Sequence, residues 1–369
     1  MTMDQYYLLG RSGLRVSRLA LGTMNFGTGG FHAAYGKTAE EAAPIFHRYL
    51  EAGGNLIDTA DFYTAGESET ILGDLIAAAK VRDRVVLSTK YTYSVDPGDP
   101  NAGGNGRKHM IRALEASLRR LRTDHIDLFL LHTWDRITPV EEVMRTFDDL
   151  ARAGKIRHAG LSDVPAWYAA RAQTYAEAHA LEPVVSLQLP YSLVHRGIEL
   201  EHVAMGQQLG LGITAWSPLA GGLLSGKYHA TDQGLGGEGR LSGAGGLGRT
   251  MTEHDRRVLE ALESVAGELG VTMAQVALNW TATQPGIASA IAGASSVRQL
   301  DANLAALDFE LPAELRARLD EASAVPVPQV YQMFAPGYQN WLINPGAKVG
   351  DKPAGYAPAV LNWVDGAEG

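Results

Sequence analysis

Along this chain, segments whose apolar residues have the spacing typical of strands alternate with segments whose spacing is typical of helices. Short, nearly continuous apolar segments, such as residues 126–132 (IDLFLLH), predict strands that are buried on both faces. Longer segments between them repeat apolar residues every three to four positions, as Ile45, Phe46, Tyr49 and Leu50 do, and predict amphipathic helices. Eight strands are predicted, at residues 18–24, 55–60, 85–91, 126–132, 156–162, 184–189, 212–217 and 288–293.

Helices are predicted between these strands, and the first begins at a capping box formed by Thr38 and Glu41. The others are predicted near residues 67–80, 108–121, 140–153, 165–179, 198–209, 253–269, 272–283 and 297–307. Strictly alternating strands and helices favour a parallel sheet with right-handed crossovers. Eight such units in roughly 300 residues predict an α/β fold of the (β/α)8 TIM barrel type. An open doubly wound sheet is the alternative.

Two regions do not fit the repeat. Residues 219–249 form a long Gly-rich loop after the seventh strand, which is either disordered or a functional lid. Residues 324–369 mix Pro and Gly with aromatic residues, so we expect this extra C-terminal tail to pack on the barrel. We therefore predict a barrel domain over residues 1–323, with the tail as part of the same domain.

Composition excludes several classes of function. The net charge is −9 and no Lys/Arg cluster dominates any stretch, which argues against nucleic-acid binding. No stretch of roughly 20 apolar residues and no signal-peptide pattern is found, so a cytoplasmic enzyme without a membrane partner is expected. The chain has no Cys, and its 11 His residues form no HExxH motif, so no metal site is indicated. Oligomeric state is left open.

Four polar residues are predicted at the carboxyl ends of adjacent barrel strands, where barrel enzymes carry out their chemistry. Asp58, Lys90 and His132 end the second, third and fourth strands, and Tyr63 follows Asp58 by five residues. Each has an ordinary structural alternative: a cap, a surface lysine, a buried core histidine or a packed loop tyrosine. Their convergence at one mouth of the barrel is what favours a catalytic site.

These four side chains suit the protonation of an alkoxide as it forms. A phenol is a poor acid at neutral pH, a nearby ammonium lowers its pKa, and a carboxylate keeps that ammonium charged. His132 is suited to hydrogen-bond a substrate oxygen. No side chain donates a hydride, so a reduction at this site requires a cofactor.

From Leu9 to about Asp308 the chain resembles the aldo-keto reductases, especially bacterial and fungal members that act on aryl aldehydes and alcohols. The resemblance rests on ordered motifs over about four-fifths of the chain. They are GTMNFG (22–27), NLIDTADFY (55–63), STKY (88–91), DLFLLHTW (127–134), GLSD (160–163), QLPYS (188–192), AWSPLAGGLLSGKY (215–228) and GASSVRQLDANL (293–304). It implies a catalytic tetrad of Asp58, Tyr63, Lys90 and His132, with Tyr63 as general acid.

The resemblance also implies an NADPH/NADP+ site, with NADH not excluded. Ser162, Asp163 and Gln188 match positions that hold the nicotinamide carboxamide, and Trp216 matches the ring that stacks on the nicotinamide. The remaining cofactor-binding positions are Gly22, Thr23, Met24, Asp58, Ser217, Leu219, Gly221, Lys227, Gly293, Ser295, Arg298, Gln299 and Asn303.

Three positions depart from the family pattern. Asp163 stands where the family usually has Asn, which replaces two hydrogen-bond donors with a charged acceptor. Gly293 and Gln299 stand where many relatives carry Lys and Arg. Arg298, with Lys227 and Arg249, is left to bind the terminal phosphate of NADPH.

The function implied is reduction of an aldehyde or ketone, an aryl or other apolar carbonyl, to its alcohol. Tyr63, His132 and Trp134 are the predicted substrate residues, with Tyr91, Tyr93, Tyr331 and Trp341 as further candidate walls. The alternative is a cofactor-binding regulatory or channel-associated subunit with little turnover. A lyase that forms a Schiff base on Lys90 is a third hypothesis.

Overall fold

A computed structural model describes residues 3–30, 35–231, 234–237, 239–241, 250–343 and 345–346. Eight strands within these ranges close into a parallel barrel, in the order β12-β3-β4-β5-β6-β7-β8-β9, which confirms the predicted TIM barrel. The strands in chain order are β1 (Tyr6–Leu8), β2 (Arg15–Ser17), β3 (Leu19–Gly22), β4 (Leu56–Asp58), β5 (Val86–Tyr91), β6 (Ile126–Leu131), β7 (Ile156–Ser162), β8 (Val184–Pro190), β9 (Gly212–Trp216), β10 (His229–Thr231), β11 (Gly234–Gly236) and β12 (Ile287–Gly293).

Helices separate the barrel strands, and the first is capped as its sequence predicts. Thr38 accepts from the Glu41 amide and the Glu41 carboxylate accepts from the Thr38 amide. The described helices are α1 (Ala39–Glu51), α2 (Glu67–Ala79), α3 (Arg107–Leu121), α4 (Val140–Arg152), α5 (Ala166–His179), α6 (His202–Leu209), α7 (Glu253–Leu269), α8 (Met273–Ala282), α9 (Val297–Leu304), α10 (Ala313–Ala322), α11 (Gln329–Gln332) and α12 (Pro336–Leu342). The helix predicted at 198–209 is shorter, because a 3-10 turn at Gly197–Leu200 precedes α6.

Successive side chains of a strand point to opposite faces, and this decides which residues enter the barrel. In β5, Leu87 and Tyr91 join the large core between strands and helices, whereas Val86 joins the smaller core inside the barrel. Leu128 and Leu130 of β6 also point inward. Ser88 and Lys90 share the parity of Val86, and His132 shares that of Leu130. The pleat therefore turns these polar groups toward the barrel axis.

The hairpin of β1 and β2 was not predicted from the sequence. Its antiparallel strands have three residues each, and β1 is exposed, so no buried apolar run marks it. Leu9 and Val16 nonetheless belong to the inner core with Ala20 and Leu56. Because Arg11 donates its amide to the Gly210 carbonyl just before β9, the hairpin covers the amino-terminal end of the barrel.

Helix α10 was also missed, and it packs against α7 through buried Leu315 and Leu319. The described part of the tail follows it as two short helices, α11 and α12. Tyr331 donates its hydroxyl to Glu201 beside α6, but the large apolar side chains of this tail are mainly exposed, as Phe334 (51%) and Trp341 (69%) illustrate. The packing expected of the tail is thus found at Tyr331 and not at those aromatic side chains.

The Gly-rich loop after β9 begins with a 3-10 turn at Ala220–Ser225 and continues into the antiparallel pair β10 and β11. The predicted phosphate-binding candidate Arg249 lies outside the described residues. Among the helices in the described ranges, none is both long and apolar enough to span a membrane.

The contact between α2 and α3 gives a test of packing. A Cβ built on Gly73 of α2 lies 2.5 Å from the Arg120 carbonyl oxygen and 2.7 Å from Leu121 Cα, both backbone atoms of α3. We expect Gly73→Ala to lower the free energy of unfolding by about 1–3 kcal/mol, because overpacking outweighs the better helix propensity of Ala.

The matched control is Gly267→Ala in α7, where a Cβ meets no heavy atom within 4 Å. We expect this variant to gain up to about 1 kcal/mol, because only the helix propensity changes. Urea unfolding followed by circular dichroism measures both variants. Equal midpoints for the two would contradict the packing assigned to Gly73.

Candidate active site

Three of the four predicted catalytic residues lie at the carboxyl ends of neighbouring strands. Asp58 is the last residue of β4, Lys90 lies one residue before the end of β5, and His132 directly follows β6. All three are buried, and the half-buried Tyr63 begins a 3-10 turn between β4 and α2. The structure therefore brings the four side chains together at one mouth of the barrel.

Lys90 and Asp58 form a fully enclosed ion pair, with Lys90 Nζ 2.7 Å from Asp58 Oδ2. Lys90 Nζ also donates to the Thr59 carbonyl oxygen at 2.7 Å. Asp58 Oδ1 accepts from Ser88 Oγ at 3.1 Å and from Gln188 Nε2 at 2.9 Å. Burial lowers the pKa of Lys90, but the Asp58 charge and its hydrogen bond reverse this and raise it above its ordinary value. The lysine is thus held as an ammonium.

Tyr63 is the third member of this network. Lys90 Nζ lies 3.2 Å from the Tyr63 hydroxyl oxygen and 4.7 Å from the centre of its ring. Burial raises the pKa of the Tyr63 phenol, and the Lys90 ammonium, which lowers it as expected, offsets only part of that effect. Tyr63 is therefore a neutral phenol at pH 7, with a cation placed to stabilise its anion.

His132 completes the mouth of the barrel beside two tyrosines. Its ring meets Tyr63 edge-on at a centroid distance of 5.8 Å and Tyr93 at 4.5 Å. Burial, with the Lys90 charge as a second cause, holds the pKa of His132 well below its usual range, so the imidazole is neutral. Within the described residues, its Nδ1 atom is buried without a hydrogen-bond partner.

The residues predicted to hold the nicotinamide also lie together, at the ends of β7, β8 and β9. Ser162 pairs with Gln188 across the sheet, and the Asp163 amide donates to the Gln188 carbonyl at 3.2 Å. Trp216 ends β9 with its ring partly exposed, and its Nε1 donates to Asp163 Oδ1 at 3.0 Å. Ser162 Oγ is buried and has no partner in the described part of the chain. These groups fit an amide-bearing planar ring.

Three predicted cofactor positions lie at the end of β3 and directly after it. Gly22 lies in register with Asp58 on one side and Gly293 on the other. Thr23 is fully buried, and its hydroxyl bonds to the Asp58 carbonyl and to Ser68 Oγ, so its side chain is occupied within the protein. Met24 is half-buried beside it.

The backbone after β9 takes left-handed conformations, with φ of 54° at Ser217 and 72° at Gly221. The Ser217 hydroxyl accepts from the Gly221 amide at 3.2 Å, which closes this turn. Leu219 packs partly against the core, and exposed Lys227 lies over the ring of Tyr228. Four amides of this turn bond within it, and turns that combine right-handed and left-handed residues form anion sites in other proteins.

The predicted adenosine end lies at the start of α9. Gln299 Oε1 accepts from the backbone amide and the hydroxyl of Ser295, and Asn303 Nδ2 donates to the Gly293 carbonyl at 3.2 Å. These two side chains thus also bond to the local chain. Arg298 is exposed and is the cation that this turn offers to a phosphate.

The candidate substrate walls differ in their placement. Tyr93 and Phe62 are in ring contact at 5.1 Å next to His132, and half-buried Trp134 packs against exposed Trp167. Tyr91 cannot line the mouth, because it points outward, is fully buried and stacks on Phe129. The alternation of β5 would have excluded it, since Tyr91 has the parity opposite to Lys90.

Sequence reasoning missed the polar residues that hold the site from behind. Ser88 shares the inward parity of Lys90, which is the signal that could have identified it. Buried Glu69 accepts from Thr89 Oγ1 at 2.6 Å and from Arg120 Nε at 2.7 Å, below the Tyr63 turn. No spacing rule links these three, because they belong to different elements. In the described ranges, no group of His, Asp or Glu is arranged to hold a metal ion.

Comparison with known proteins agrees with this geometry. The Aldo/keto reductase family model matches residues 18–324, and the chain belongs to this family. It is 36% identical over 342 residues to a Bacillus subtilis (strain 168) protein named "Uncharacterized oxidoreductase YrpG", which covers 90% of this chain and 99% of that protein. It is 37% identical over 308 residues to norsolorinic acid reductase stcV of Emericella nidulans, with 82% and 77% covered. An aryl-alcohol dehydrogenase of Pestalotiopsis microspora is 33% identical over 306 residues, with 82% and 77% covered. The protein is accordingly an NAD(P)H-dependent oxidoreductase of the type that reduces carbonyl groups.

Asp61, between Asp58 and Tyr63 in the chain, gives a test of the electrostatics behind the site. Both of its carboxyl oxygens are buried, and the backbone amide of Phe62 is the hydrogen-bonding group that acts on them. Burial, with the Glu69 charge as the next cause, raises the pKa of Asp61 well above its ordinary value. The pKa of this carboxyl is thus higher in the folded than in the unfolded protein. At a pH above the unfolded pKa, the carboxyl therefore destabilises the fold, and this cost is lost as pH falls and the group is protonated.

We therefore expect Asp61→Asn to raise the free energy of unfolding at pH 8 by about 1–3 kcal/mol, because the neutral amide avoids the cost of ionising a buried carboxyl. The gain should disappear near pH 4. Asp96→Asn, at an exposed loop position, is the control and should change little at either pH. Urea unfolding at both pH values is the measurement. An Asp61→Asn protein that is less stable at pH 8 would show that the carboxylate is favourably bound.

Proposed function

We propose that this protein catalyses the NADPH-dependent reduction of aldehydes or ketones, aryl or other apolar carbonyls, to alcohols, with Tyr63 as proton donor. The observation that carries the proposal is the buried Lys90 ammonium, 2.7 Å from Asp58 and 3.2 Å from the Tyr63 hydroxyl. Burial of the Lys90 and Asp58 ion pair does not in itself require a tyrosine hydroxyl beside it. It does suit a phenol that must lose and regain a proton.

The proton transfer follows from the protonation states. Tyr63 is neutral because its pKa is raised by burial, so it holds a proton when the carbonyl compound binds. As negative charge develops on the carbonyl oxygen, the phenol donates this proton and becomes an anion that Lys90 stabilises. Asp58 keeps Lys90 charged and oriented. His132 is neutral, so it can hydrogen-bond the same oxygen without adding a second cation beside Lys90.

The bound cofactor supplies the hydride. Ser162, Asp163, Gln188 and Trp216 are the residues proposed to hold its nicotinamide end. The left-handed turn around Gly221 is proposed for its pyrophosphate. The preference for NADPH over NADH is assigned to the exposed cations Arg298 and Lys227, which match the charge of the additional phosphate.

The proposed aryl substrate rests on two observations. Phe62 and Tyr93 present aromatic surface beside His132, and the half-buried Trp134 follows His132 by two residues. Such rings favour offset or edge-on contact with a planar ring. The names of two relatives refer to norsolorinic acid reduction and aryl-alcohol oxidation. An aromatic aldehyde is therefore the first substrate class to assay.

The activity is tested by following NADPH absorbance at 340 nm with a panel of aromatic aldehydes, and with aliphatic aldehydes of equal carbon number for comparison. We expect turnover, with the higher kcat/KM for the aromatic members and for NADPH over NADH. Tight NADPH binding with no turnover of any carbonyl would contradict the enzymatic proposal. It would favour the regulatory-subunit alternative.

Substitution of the proposed proton donor gives the sharper test. We expect Tyr63→Phe to lower kcat by about 10²–10⁴-fold, the usual contribution of a general acid, while the dissociation constant for NADPH changes little. Tyr175→Phe, in α5, is the matched control and should retain full activity, because this ring packs against Arg145 and His179 and not against the site. Retention of wild-type kcat in Tyr63→Phe would exclude Tyr63 as the proton donor.

A further inference from the structure

Asp163 is held rigidly at the mouth of the barrel. It directly follows β7, its φ is 47°, and its amide donates to the Gln188 carbonyl at the end of β8. The carboxyl oxygen Oδ1 accepts from Trp216 Nε1 at 3.0 Å, at the end of β9. The carboxyl group is therefore fixed among the three strand ends that are proposed to hold the nicotinamide.

The charges around Asp163 leave it without a cation of its own. Lys90 is the nearest cation that acts on it, but Lys90 is already paired with Asp58 at 2.7 Å. Burial raises the pKa of Tyr93 and the Asp163 carboxylate raises it further, so Tyr93 faces this carboxylate as a neutral phenol. His132 is neutral, and Glu69 behind the site is paired with Arg120. An ionised Asp163 is thus a negative charge that no cation at the mouth pairs with directly.

The ionisation of Asp163 falls in an accessible pH range. Burial raises its pKa to about 6, against the opposing effects of the Trp216 hydrogen bond and the Lys90 charge. Because the group is an acid, it is neutral below this pH and a carboxylate above it. At pH 7.5 and above, the negative charge is present.

We propose that the Asp163 carboxylate selects the redox state of the bound cofactor, favouring oxidised nicotinamide over reduced nicotinamide. This inference rests on the proposed NADPH site. The oxidised ring carries a positive charge and the reduced ring is neutral, so a fixed anion beside the ring stabilises only the oxidised form. In a partly buried site this attraction is only weakly screened by salt.

The consequence concerns both the equilibrium on the protein and product release. A site that binds the oxidised cofactor more tightly makes the reduced cofactor a better hydride donor while it is bound. The same preference slows loss of the oxidised cofactor after each turnover. Asp163 therefore favours hydride transfer to the carbonyl but slows release of the oxidised cofactor. Both effects become weaker as pH falls through about 6 and the carboxyl is protonated.

Asp163→Asn removes the charge and keeps the geometry. The Asn side-chain oxygen can still accept from Trp216 Nε1, and Asn tolerates the left-handed backbone at this position at least as well as Asp. Folding should therefore be preserved, which circular dichroism checks. Asp96→Asn removes one charge from an exposed position on the loop after β5 and serves as the control.

The test measures dissociation constants of NADP+ and NADPH by isothermal titration calorimetry, at pH 5.5 and 8.0, without any carbonyl substrate. The informative quantity is the ratio of the NADPH constant to the NADP+ constant. Both forms carry the same phosphates, so the titration of those phosphates cancels in this ratio. It reports only on how the site distinguishes the two rings.

We expect the ratio at pH 8.0 to be about tenfold higher in the wild type and Asp96→Asn than in Asp163→Asn, which corresponds to about 1.4 kcal/mol. At pH 5.5 the wild-type ratio should exceed that of Asp163→Asn by only about threefold, because most of Asp163 is then protonated. The ratio of Asp163→Asn itself should not depend on pH. Equal ratios for the wild type and Asp163→Asn at pH 8.0, with both forms bound, would overturn this inference and leave the proposed function standing. Failure of the wild type to bind either form would overturn both.

Discussion

The site depends on the burial of one ammonium group, that of Lys90. Removing a charge from water costs several kcal/mol unless its partners are well placed. Lys90 Nζ has three oxygen neighbours, from Asp58, Thr59 and Tyr63. Asp58 in turn accepts from Ser88 and Gln188, so its charge is also satisfied. These partners come from β4, β5 and β8 and from the turn after β4, and they meet only because the barrel closes. The closed barrel is therefore a condition for the buried charge, and this charge is a condition for the proton donation that we propose for Tyr63.

The sequence predicts the parts of the molecule that follow from local periodicity. The predicted ends of all eight barrel strands agree with the structure to within two residues, because runs buried on both faces are distinct from amphipathic helices. The sequence also predicts that Asp58, Lys90 and His132 lie close together, because the carboxyl ends of parallel strands meet at one edge. It does not predict the hairpin of β1 and β2, because Leu9 and Val16 are buried only through contacts with distant strands. The support that Arg120 and Glu69 give to the site likewise joins residues 51 positions apart.

The cofactor positions illustrate a second limit. A motif identifies which residues recur at a site, but it does not say which of their atoms are already used. The Thr23 hydroxyl already donates to the Asp58 carbonyl, and the Asn303 side-chain amide already donates to the Gly293 carbonyl. Such side chains shape the backbone that would face a ligand. Trp216 and Asp163 differ from these residues because their side chains bond to each other. This hydrogen bond orients both groups, and the sequence does not predict it.

The turn that carries Tyr63 shows why the position of this hydroxyl is specific. Thr64 and Ala65 both have positive φ, at 49° and 58°, and such conformations cost non-glycine residues of order 1–3 kcal/mol each. Side-chain bonds hold the turn: Thr64 Oγ1 donates to the Phe26 carbonyl, and the Glu67 carboxylate accepts from the amides of Thr28 and Gly29. A relaxed turn would not need these contacts. Their presence means that the fold resists the movement of Tyr63 away from Lys90, so the phenol and its stabilising cation stay within hydrogen-bond distance before any substrate binds.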